Sequence, residues 1–313
     1  MTEPIAATEK AVARAAAALR DGLLVAFPTE TVYGLGCDAA NPEAVARVFA
    51  AKGRPAFNPL IAHVRDIAAA EAEAILPTMA LRLAEAFWPG PLTLVAKRRA
   101  DARVCELACA GLETVALRAP AFPMAQALLA GFGGPIAAPS ANRSGHVSAT
   151  SAAHVREDLG ASVDLVLDGG AAPIGLESTI VAFANDGRAL LLRSGAIART
   201  EIEALIGPLE APAAGPIEAP GMLASHYATR ARMRLNAERA EPGEVYLGFG
   251  PDHPGETTLS AHGDLVEAAA NLYVSLRALD ASGAAAIAVA PIPRTGLGEA
   301  INDRLHRAAA PRD

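Results

Sequence analysis

Residues 23–64 read LLVAFPTETVYGLGCDAANPEAVARVFAAKGRPAFNPLIAHV, and this stretch decides the fold class. The apolar run at 23–27 predicts a buried strand, and Asn41-Pro42 is a helix cap followed by a first-turn proline. The helix that it opens runs to about Lys52, and residues 60–64 predict the next strand. Strand, helix and strand in this order favour an α/β or α+β domain with a mixed sheet.

The same alternation continues along the chain. Thr8 caps a predicted helix that runs to about Asp21. Further predicted helices cover residues 67–75, 79–87 and 122–130 and begin near 151, and predicted strands cover 92–96, 114–117, 135–138, 163–167, 179–183 and 189–192. The first domain is therefore predicted to span residues 1–206.

A change of composition marks the second half of the chain. Residues 207–230 are predicted to form a linker, because their first half is rich in Pro, Ala and Gly without apolar periodicity. Residues 231–313 then predict a small α/β domain, with strands at 245–248 and 285–290 and helices at 265–279 and 297–307.

Composition excludes several classes of protein. The chain has 313 residues, 52% of them hydrophobic and 19% charged, with a formal net charge of -7. This balance is typical of a well-buried globular protein and argues against a surface that grips nucleic acid throughout. The chain has only three cysteines, an odd number, and this favours a reducing compartment; they are Cys37, Cys105 and Cys109. Residues near the start show no signal peptide or membrane anchor, so the predicted location is the cytoplasm.

Two short motifs have competing interpretations. Lys52-Gly53-Arg54-Pro55 combines two cations with a glycine, which suits a polyanion such as a nucleotide phosphate, but it is also an ordinary helix end. Gly34-Leu35-Gly36-Cys37-Asp38-Ala39 has the G-x-G-x-x-A spacing of dinucleotide-binding loops. We reject that interpretation, because the motif starts several residues after its strand and no acidic residue follows the next strand to hold a ribose.

Polar side chains recur where predicted strands and helices end. They include Thr31 after the first strand, Ser140 and Asn142 after the strand at 135–138, and Ser178 just before the strand at 179–183. Arg118 and Arg193 each close a strand with a guanidinium. One cleft could collect these groups. Cations and hydroxyls without an evident nucleophile suggest phosphoryl or nucleotidyl transfer by positioning and charge stabilisation.

Read in order, these segments resemble the YrdC family in its long two-domain form, the L-threonylcarbamoyladenylate synthases. The matching stretches are 27–36, 52–55, 58–61 with His63, 87–93, 138–142, 144–145, 176–180, 220–222 and 226–227. The resemblance implies an α/β (α+β) fold: a YrdC-like twisted mixed sheet with flanking helices, plus a smaller C-terminal Rossmann-like α/β domain.

The resemblance also implies a reaction and a set of site residues. The family joins L-threonine, bicarbonate and ATP, with Mg²⁺, into threonylcarbamoyl-AMP and pyrophosphate, and the product passes to a transferase complex that modifies tRNA. Lys52 and Arg54 would be catalytic and would bind ATP together with Asn58, Thr114, Ser140, Asn142, Ser148, Arg193 and Tyr227. Threonine would be held by Thr31, His63, Arg118, Ala138 and Ser178, and no protein residue is predicted to hold a metal.

The product is a mixed anhydride that water destroys, so the site is expected to close. The linker that carries His226-Tyr227 is the natural candidate for a lid.

Two alternatives stay open on the sequence. A related enzyme could use the same phosphate residues to form carbamoyl-adenylate from carbamoyl phosphate. The arginine clusters at 97–103 and 230–234 could instead belong to a tRNA-binding module. No aromatic stacking platform accompanies these clusters, so we favour solvated faces for them.

Overall fold

The computed structural model of the chain describes residues 4–6, 8–184, 186–212 and 226–311. Its helices are α1 (Glu9–Arg20), α2 (Pro42–Lys52), α3 (Ile67–Glu71), α4 (Thr78–Phe87), α5 (Pro123–Phe132), α6 (Ala152–Leu159), α7 (Arg199–Ile206), α8 (Leu265–Ala281) and α9 (Leu297–Ala309). Its strands are β1 (Pro4–Ala6), β2 (Val25–Pro28), β3 (Tyr33–Asp38), β4 (Ile61–His63), β5 (Ala74–Ile75), β6 (Leu92–Arg98), β7 (Thr114–Arg118), β8 (Ile136–Ala137), β9 (Leu165–Asp168), β10 (Thr179–Phe183), β11 (Ala189–Arg193), β12 (Leu209–Glu210), β13 (Arg232–Arg234), β14 (Glu244–Gly248), β15 (Thr257–Thr258) and β16 (Ala286–Val289).

The first twelve strands form one mixed sheet. Its order is β1-β9-β2-β3-β8-β4-β7-β6-β10-β11-β12, and β5 pairs with β6 beside this path. The sheet contains parallel pairs, such as β4 with β7, and antiparallel pairs, such as β7 with β6. Because β4 and β7 are parallel, with His63 opposite Arg118, these two strand ends lie side by side.

Helix α2 follows the signals in its sequence closely. The Asn41 side chain accepts hydrogen bonds from the backbone N–H groups of Glu43 and Ala44, at 3.0 and 3.2 Å. At the other end Gly53 has φ 60°, a left-handed conformation that favours glycine and ends the helix. The cap therefore places Lys52 and Arg54 on either side of a sharp change in chain direction.

The segment at 33–38 is a strand, β3, and lies inside the sheet between β2 and β8. The sequence analysis placed no strand there, because glycine weakens the strand signal. The structure explains Gly36: a Cβ at this position would lie 2.7 Å from Cε1 of Phe27 and 3.1 Å from the Val25 carbonyl oxygen. Glycine is needed here for close strand packing, not for binding a dinucleotide.

The predicted helix at 67–75 is wrong in its second half. Helix α3 ends at Glu71, and Ala74 pairs with Arg98 in the β5–β6 ladder. The Glu73 carboxylate accepts a hydrogen bond from the Val104 backbone at 2.9 Å. These long-range contacts override the local helix propensity of an alanine-rich segment.

The second sheet has four parallel strands in the order β13-β16-β14-β15. Two of them, β13 and β15, are only three and two residues long and were not predicted. Helices α8 and α9 pack with this sheet around a separate apolar cluster that includes Leu272 and Ile301. The predicted fold class is confirmed: a mixed α/β domain is followed by a smaller α/β domain.

The linker boundaries stay a prediction. Residues 213–225, which include the Pro220-Gly221-Met222 stretch, lie outside the described residues, and so does most of the predicted lid. Among the described residues, no helix is both long and apolar enough to cross a membrane.

Candidate active site

A cavity opens where several elements of the large sheet end. It is lined by the loop after β2, the ends of β4, β7 and β11, the loop after β8 and the residues before β10. The lining includes nine of the residues predicted for the site: Thr31, Arg54, His63, Arg118, Ala138, Ser140, Ser178, Arg193 and Tyr227. Polar groups that are up to 196 positions apart in the sequence, from Thr31 to Tyr227, thus face one space.

Arg118 forms one corner of the cavity with Glu30 and Thr31. Its Nη2 donates to Glu30 Oε1 at 2.6 Å, its Nη1 donates to Thr31 Oγ1 at 2.8 Å, and its Nε donates to the Gly90 carbonyl at 3.2 Å. Burial acts to raise the pKa of Glu30, but the charge and hydrogen bond of Arg118 hold it below the ordinary value of 4.5. The guanidinium is therefore fixed in place, and its partner is a carboxylate.

His63 lies beside this corner as a neutral imidazole. Burial, and then the charge of Arg118, lower the pKa of His63 to about 3. Its ring meets the edge of Phe27 at 6.1 Å between centroids. At neutral pH His63 thus offers a hydrogen-bonding group without charge.

Ser178 and Arg193 form a second corner. The Ser178 hydroxyl lies 2.7 Å from the Thr93 hydroxyl and accepts a hydrogen bond from Arg193 Nη2 at 3.0 Å. Arg193 Nε also donates to the Ser178 carbonyl at 3.1 Å. Burial lowers the pKa of Arg193. Gly195 allows this closeness, because a Cβ there would lie 2.4 Å from the backbone of Ser178 and Thr179.

Lys52 joins the end of α2 to the loop after β8. Its Nζ donates to the Ser140 carbonyl at 2.5 Å and to the Asn142 carbonyl, and its own carbonyl accepts from the Ser144 backbone at 2.9 Å. Burial, and then the charge of Arg54, lower the pKa of Lys52. Asn142 in turn donates through Nδ2 to the carbonyls of Arg143 and His146, at 2.7 and 2.9 Å. The Lys52–Pro55 stretch is thus hydrogen-bonded to the loop that carries Ser140 and Asn142.

Arg54 lines the cavity and is held by hydrogen bonds to residues four and five positions further along the chain. Its Nη2 donates to Asn58 Oδ1 at 2.6 Å and to the Pro59 carbonyl at 2.9 Å, and its Nε donates to the Asn58 carbonyl at 3.1 Å. Burial, followed by the charge of Arg193, lowers the pKa of Arg54 to about 10, so it remains a cation at neutral pH. Asn58 therefore orients the guanidinium.

Five predicted residues do not belong to the described lining of the cavity. Lys52, Asn58, Asn142 and Ser148 each contact a lining residue or the loop that carries one. Thr114 is different, because it begins β7 and lies four residues, roughly 13 Å, from Arg118 at the other end of that strand. The predicted roles of all fourteen residues stay predictions.

Glu177 was quoted in a motif but was given no role. Its Oε1 accepts from the Ser148 hydroxyl at 2.5 Å, and its Oε2 accepts from the Tyr273 hydroxyl at 2.7 Å and from Arg304 Nε at 2.8 Å. Tyr273 lies on α8 and Arg304 on α9, both in the second domain. No local pattern signals these contacts, because they join positions 96 and 127 residues apart.

The acid stability of the protein is expected to depend on Glu177. Burial opposes ionisation of this carboxyl, but Arg304, Arg193 and the Ser148 hydrogen bond lower its pKa from 4.5 to about 2. A lowered pKa contributes stability that is present above the unfolded value and is lost as pH falls from about 4.5 towards 2. Its full contribution is about 3 kcal/mol.

Urea unfolding between pH 5 and pH 3 checks this expectation. The free energy of unfolding should fall less steeply with decreasing pH in Glu177→Gln than in the unsubstituted protein, with a slope difference of up to about one proton. Parallel pH curves for the two proteins would contradict the assignment.

The described residues do not offer a protein site for a metal ion. No group of three or more His, Cys, Asp or Glu among them lies together in a way that could hold one. Glu177 lines the cavity and is paired with Arg304, and Glu30 is paired with the lining residue Arg118. These side chains therefore do not fit a direct Mg²⁺ site.

Comparison with known proteins gives two family matches. Residues 17–195 match the Sua5/YciO/YrdC model, described as telomere recombination, and residues 197–310 match the threonylcarbamoyl-AMP synthase C-terminal domain. Threonylcarbamoyl-AMP synthases from Bacillus subtilis and Pyrococcus abyssi are each 40% identical to the chain. The matches cover 100% and 94% of the chain, and 96% and 93% of those proteins.

Solved structures agree with these matches. The crystal structure of P. abyssi Sua5 complexed with L-threonine superposes with a TM-score of 0.90 at 36% identity, covering 99% of this chain and 97% of that one. The crystal structure of E. coli YciO superposes with a TM-score of 0.56 at 23% identity over 62% of the chain, a likeness of fold alone.

Proposed function

The chain belongs to the Sua5/YciO/YrdC family, and on that premise we propose that it is a threonylcarbamoyl-AMP synthase. In the proposed reaction, L-threonine, bicarbonate and ATP give threonylcarbamoyl-AMP, pyrophosphate and water, since bicarbonate loses one oxygen when its carbon bonds to the threonine nitrogen. This reaction would make the chain a nucleotidyltransferase. The observation that carries the proposal is that a single cavity brings Arg118 and Ser178 next to Arg54 and Arg193. A carboxylate and a nucleotide phosphate can be held there at the same time.

Arg118 is assigned to the carboxylate of L-threonine. A guanidinium has five N–H donors, and the contacts described above use three of them, so Nη1 and Nη2 each keep one donor for a ligand. Thr31, His63 and Ser178 lie around the same space and supply uncharged partners for the amino and hydroxyl groups, while Ala138 bounds it.

Arg54 is assigned to the phosphates of ATP. Its contacts to Asn58 and Pro59 use Nε and both donors of Nη2, which leaves the two Nη1 donors for phosphate oxygens. Lys52 uses two of its three donors on carbonyls of the loop that carries Ser140 and Asn142. It therefore holds that loop in place.

The chemical step needs charge stabilisation more than a nucleophile from the protein. An oxygen of the N-carboxylated threonine attacks the α-phosphorus, a new O–P bond forms, and the bond from the α-phosphorus to the leaving pyrophosphate breaks. Negative charge grows on the pyrophosphate, and we assign its stabilisation to Arg54 and Arg193, which both line the cavity. Since the described residues offer no fitting carboxylate cluster, we propose that Mg²⁺ enters with ATP.

The product would pass to a transferase complex that attaches the threonylcarbamoyl group to tRNA. A cytoplasmic location belongs with this proposal, and its support is the buried or half-buried state of the free cysteines Cys37, Cys105 and Cys109. We do not propose that this chain binds tRNA directly.

Incubation of the purified protein with ATP, labelled bicarbonate and L-threonine tests the proposed reaction. We expect threonylcarbamoyl-AMP, identified by mass spectrometry, and an equal amount of pyrophosphate, both dependent on threonine. A parallel reaction with carbamoyl phosphate in place of bicarbonate and threonine should yield no adenylate. Adenylate formation in that second reaction alone would assign the chain to the related carbamoyl-adenylate chemistry.

A further inference from the structure

Tyr227 is held by residues from both domains. Its ring stacks on Tyr273 with 5.6 Å between centroids and an interplanar angle of 21°, and the Arg304 guanidinium carbon lies 5.2 Å from the Tyr227 centroid. The Tyr227 backbone has φ 63°, an uncommon value for a residue with a large side chain. A conformation of this kind persists when its surroundings fix it, and here the second domain provides much of those surroundings.

The neighbours of Tyr227 are fixed in the same way. The His226 backbone N–H donates to the Arg307 carbonyl on α9 at 3.2 Å, and the Ala228 N–H donates to the Gly145 carbonyl at 2.7 Å. The described end of the linker therefore spans from α9 to the loop that follows Asn142. Tyr227 reaches the cavity from this bridge.

Glu177 connects the same two helices to the cavity from another side. It lines the cavity, stands next to Ser178, and receives Tyr273 and Arg304 on one oxygen and Ser148 on the other. Arg304 is fully buried, with 0% of its side chain exposed. A buried carboxylate and a buried guanidinium in contact fix each other's position, because neither can be solvated elsewhere without opening the domain contact.

The two domains also pack closely at Gly175 and Arg277. A Cβ on Gly175 would lie 2.6 Å from the Ala269 carbonyl oxygen and 2.7 Å from the Ala270 Cα, so α8 packs directly on the backbone that leads to Glu177. Arg277 adds a second connection, donating to the Val147 carbonyl and to Asp158, both at 2.6 Å.

We propose that Tyr273 and Arg304 are positioning residues of the active site, and that the second domain serves the reaction by fixing Glu177 and Tyr227 through them. The two residues are absent from the described cavity lining, and they act through the Tyr227 ring and through the Glu177 carboxylate, which also accepts a hydrogen bond from Ser148. The inference deepens the proposed function and rests on it. It predicts that the catalytic domain with an unconstrained linker is impaired in holding ATP, because Ser148 and Tyr227 are among the residues that the resemblance assigns to the nucleotide.

Side-chain substitutions in the full chain test this inference through ATP affinity, measured by titration calorimetry, and through separate kcat and KM values. Tyr273→Phe removes the hydroxyl but keeps the stacked ring, and should weaken ATP binding about tenfold, the effect of one hydrogen bond to a charged group. Arg304→Met should weaken it about 100-fold. Arg304→Lys, which keeps the charge, should recover part of that loss.

A double substitution separates positioning from general destabilisation. If Tyr273 acts through Glu177, then Glu177→Gln with Tyr273→Phe should bind ATP no more weakly than Glu177→Gln alone. Arg199→Gln is the matched control, because Arg199 also bridges the domains, through Glu299 at 3.1 Å, and none of its described contacts reaches a residue that lines the cavity. Its ATP affinity should equal that of the unsubstituted protein.

The outcomes distinguish this inference from the proposed function. Unchanged ATP affinity in Tyr273→Phe, or losses that add in the double substitution, would overturn the inference even if the enzyme makes threonylcarbamoyl-AMP. If the unsubstituted protein makes no such product but binds ATP, the same affinities still decide the inference while the proposed reaction fails. If the unsubstituted protein does not bind ATP, both are overturned.

Discussion

Replacing Arg54 with alanine is expected to lower threonine-dependent adenylate formation by about 10³-fold in kcat/KM. The guanidinium is buried, remains cationic with a pKa of about 10, and has its Nη1 donors left for a phosphate. Negative charge that accumulates on the leaving pyrophosphate then loses a donor that was already oriented, and water cannot replace it in a closed site without reorganising. Pyrophosphate release measured with saturating threonine gives the rate.

Two control variants make this test specific. Arg54→Lys keeps a charge but cannot reproduce the planar fork that contacts Asn58 and Pro59, so it should recover only a small part of the activity. Arg188→Ala removes an exposed arginine paired with Asp186 and should keep the full rate. Thermal unfolding of each variant shows whether the fold is intact. Near-normal activity in folded Arg54→Ala would mean that the phosphate assignment is wrong.

Local sequence signals were sufficient to predict the position of those site residues that lie next to helix caps and strand ends. Asn41, Pro42 and Gly53 predict both ends of α2, and the structure places Lys52 and Arg54 at its end as expected. The strand that closes with Arg118 was likewise predicted from its apolar pattern, and β4 beside it brings His63 to the same edge. Site residues set by such local signals can be predicted because hydrogen bonding and backbone sterics act over a few residues.

Contacts across the chain could not be predicted in this way. The Gly34 and Gly36 positions appeared as a loop motif, although their role depends on Phe27 and Ala138, which pack against them in the sheet. Glu177 carries no special pattern, and its partners on α8 and α9 are in a domain whose sequence shows only ordinary amphipathic helices. The meaning of such residues is set by tertiary packing, which a local pattern does not contain.

The two tasks proposed for the arginines of the cavity agree with how each arginine is paired. Arg118 is neutralised by Glu30 at 2.6 Å, so it presents a fixed fork with little net charge. Arg54 has no such carboxylate among its described contacts, which go to an amide oxygen and carbonyls. A neutralised arginine suits recognition of a small carboxylate, whereas a cation without a paired carboxylate suits the larger charge of a triphosphate.

Replacing Arg118 with methionine is therefore expected to weaken L-threonine binding by about 10²–10³-fold, while ATP binding changes little. The variant should also be less stable by about 3–5 kcal/mol, because Glu30 is left as a buried carboxylate without its partner. Titration with L-threonine and urea unfolding measure the two effects. Equal losses of threonine and ATP affinity would point instead to general collapse of the cavity.

The Glu30→Gln variant distinguishes the role of Arg118 in binding threonine from the role of Glu30 in orienting Arg118. The glutamine keeps a hydrogen-bond acceptor for Arg118 Nη2 but removes the charge, so threonine binding should weaken by only about tenfold through looser orientation of the guanidinium. In the double variant Glu30→Gln/Arg118→Met the unfolding free energy should be higher than the sum of the single losses predicts, because the buried carboxylate that destabilises Arg118→Met is gone. Strict additivity of the two stability losses would show that the ion pair does not hold this corner of the cavity together.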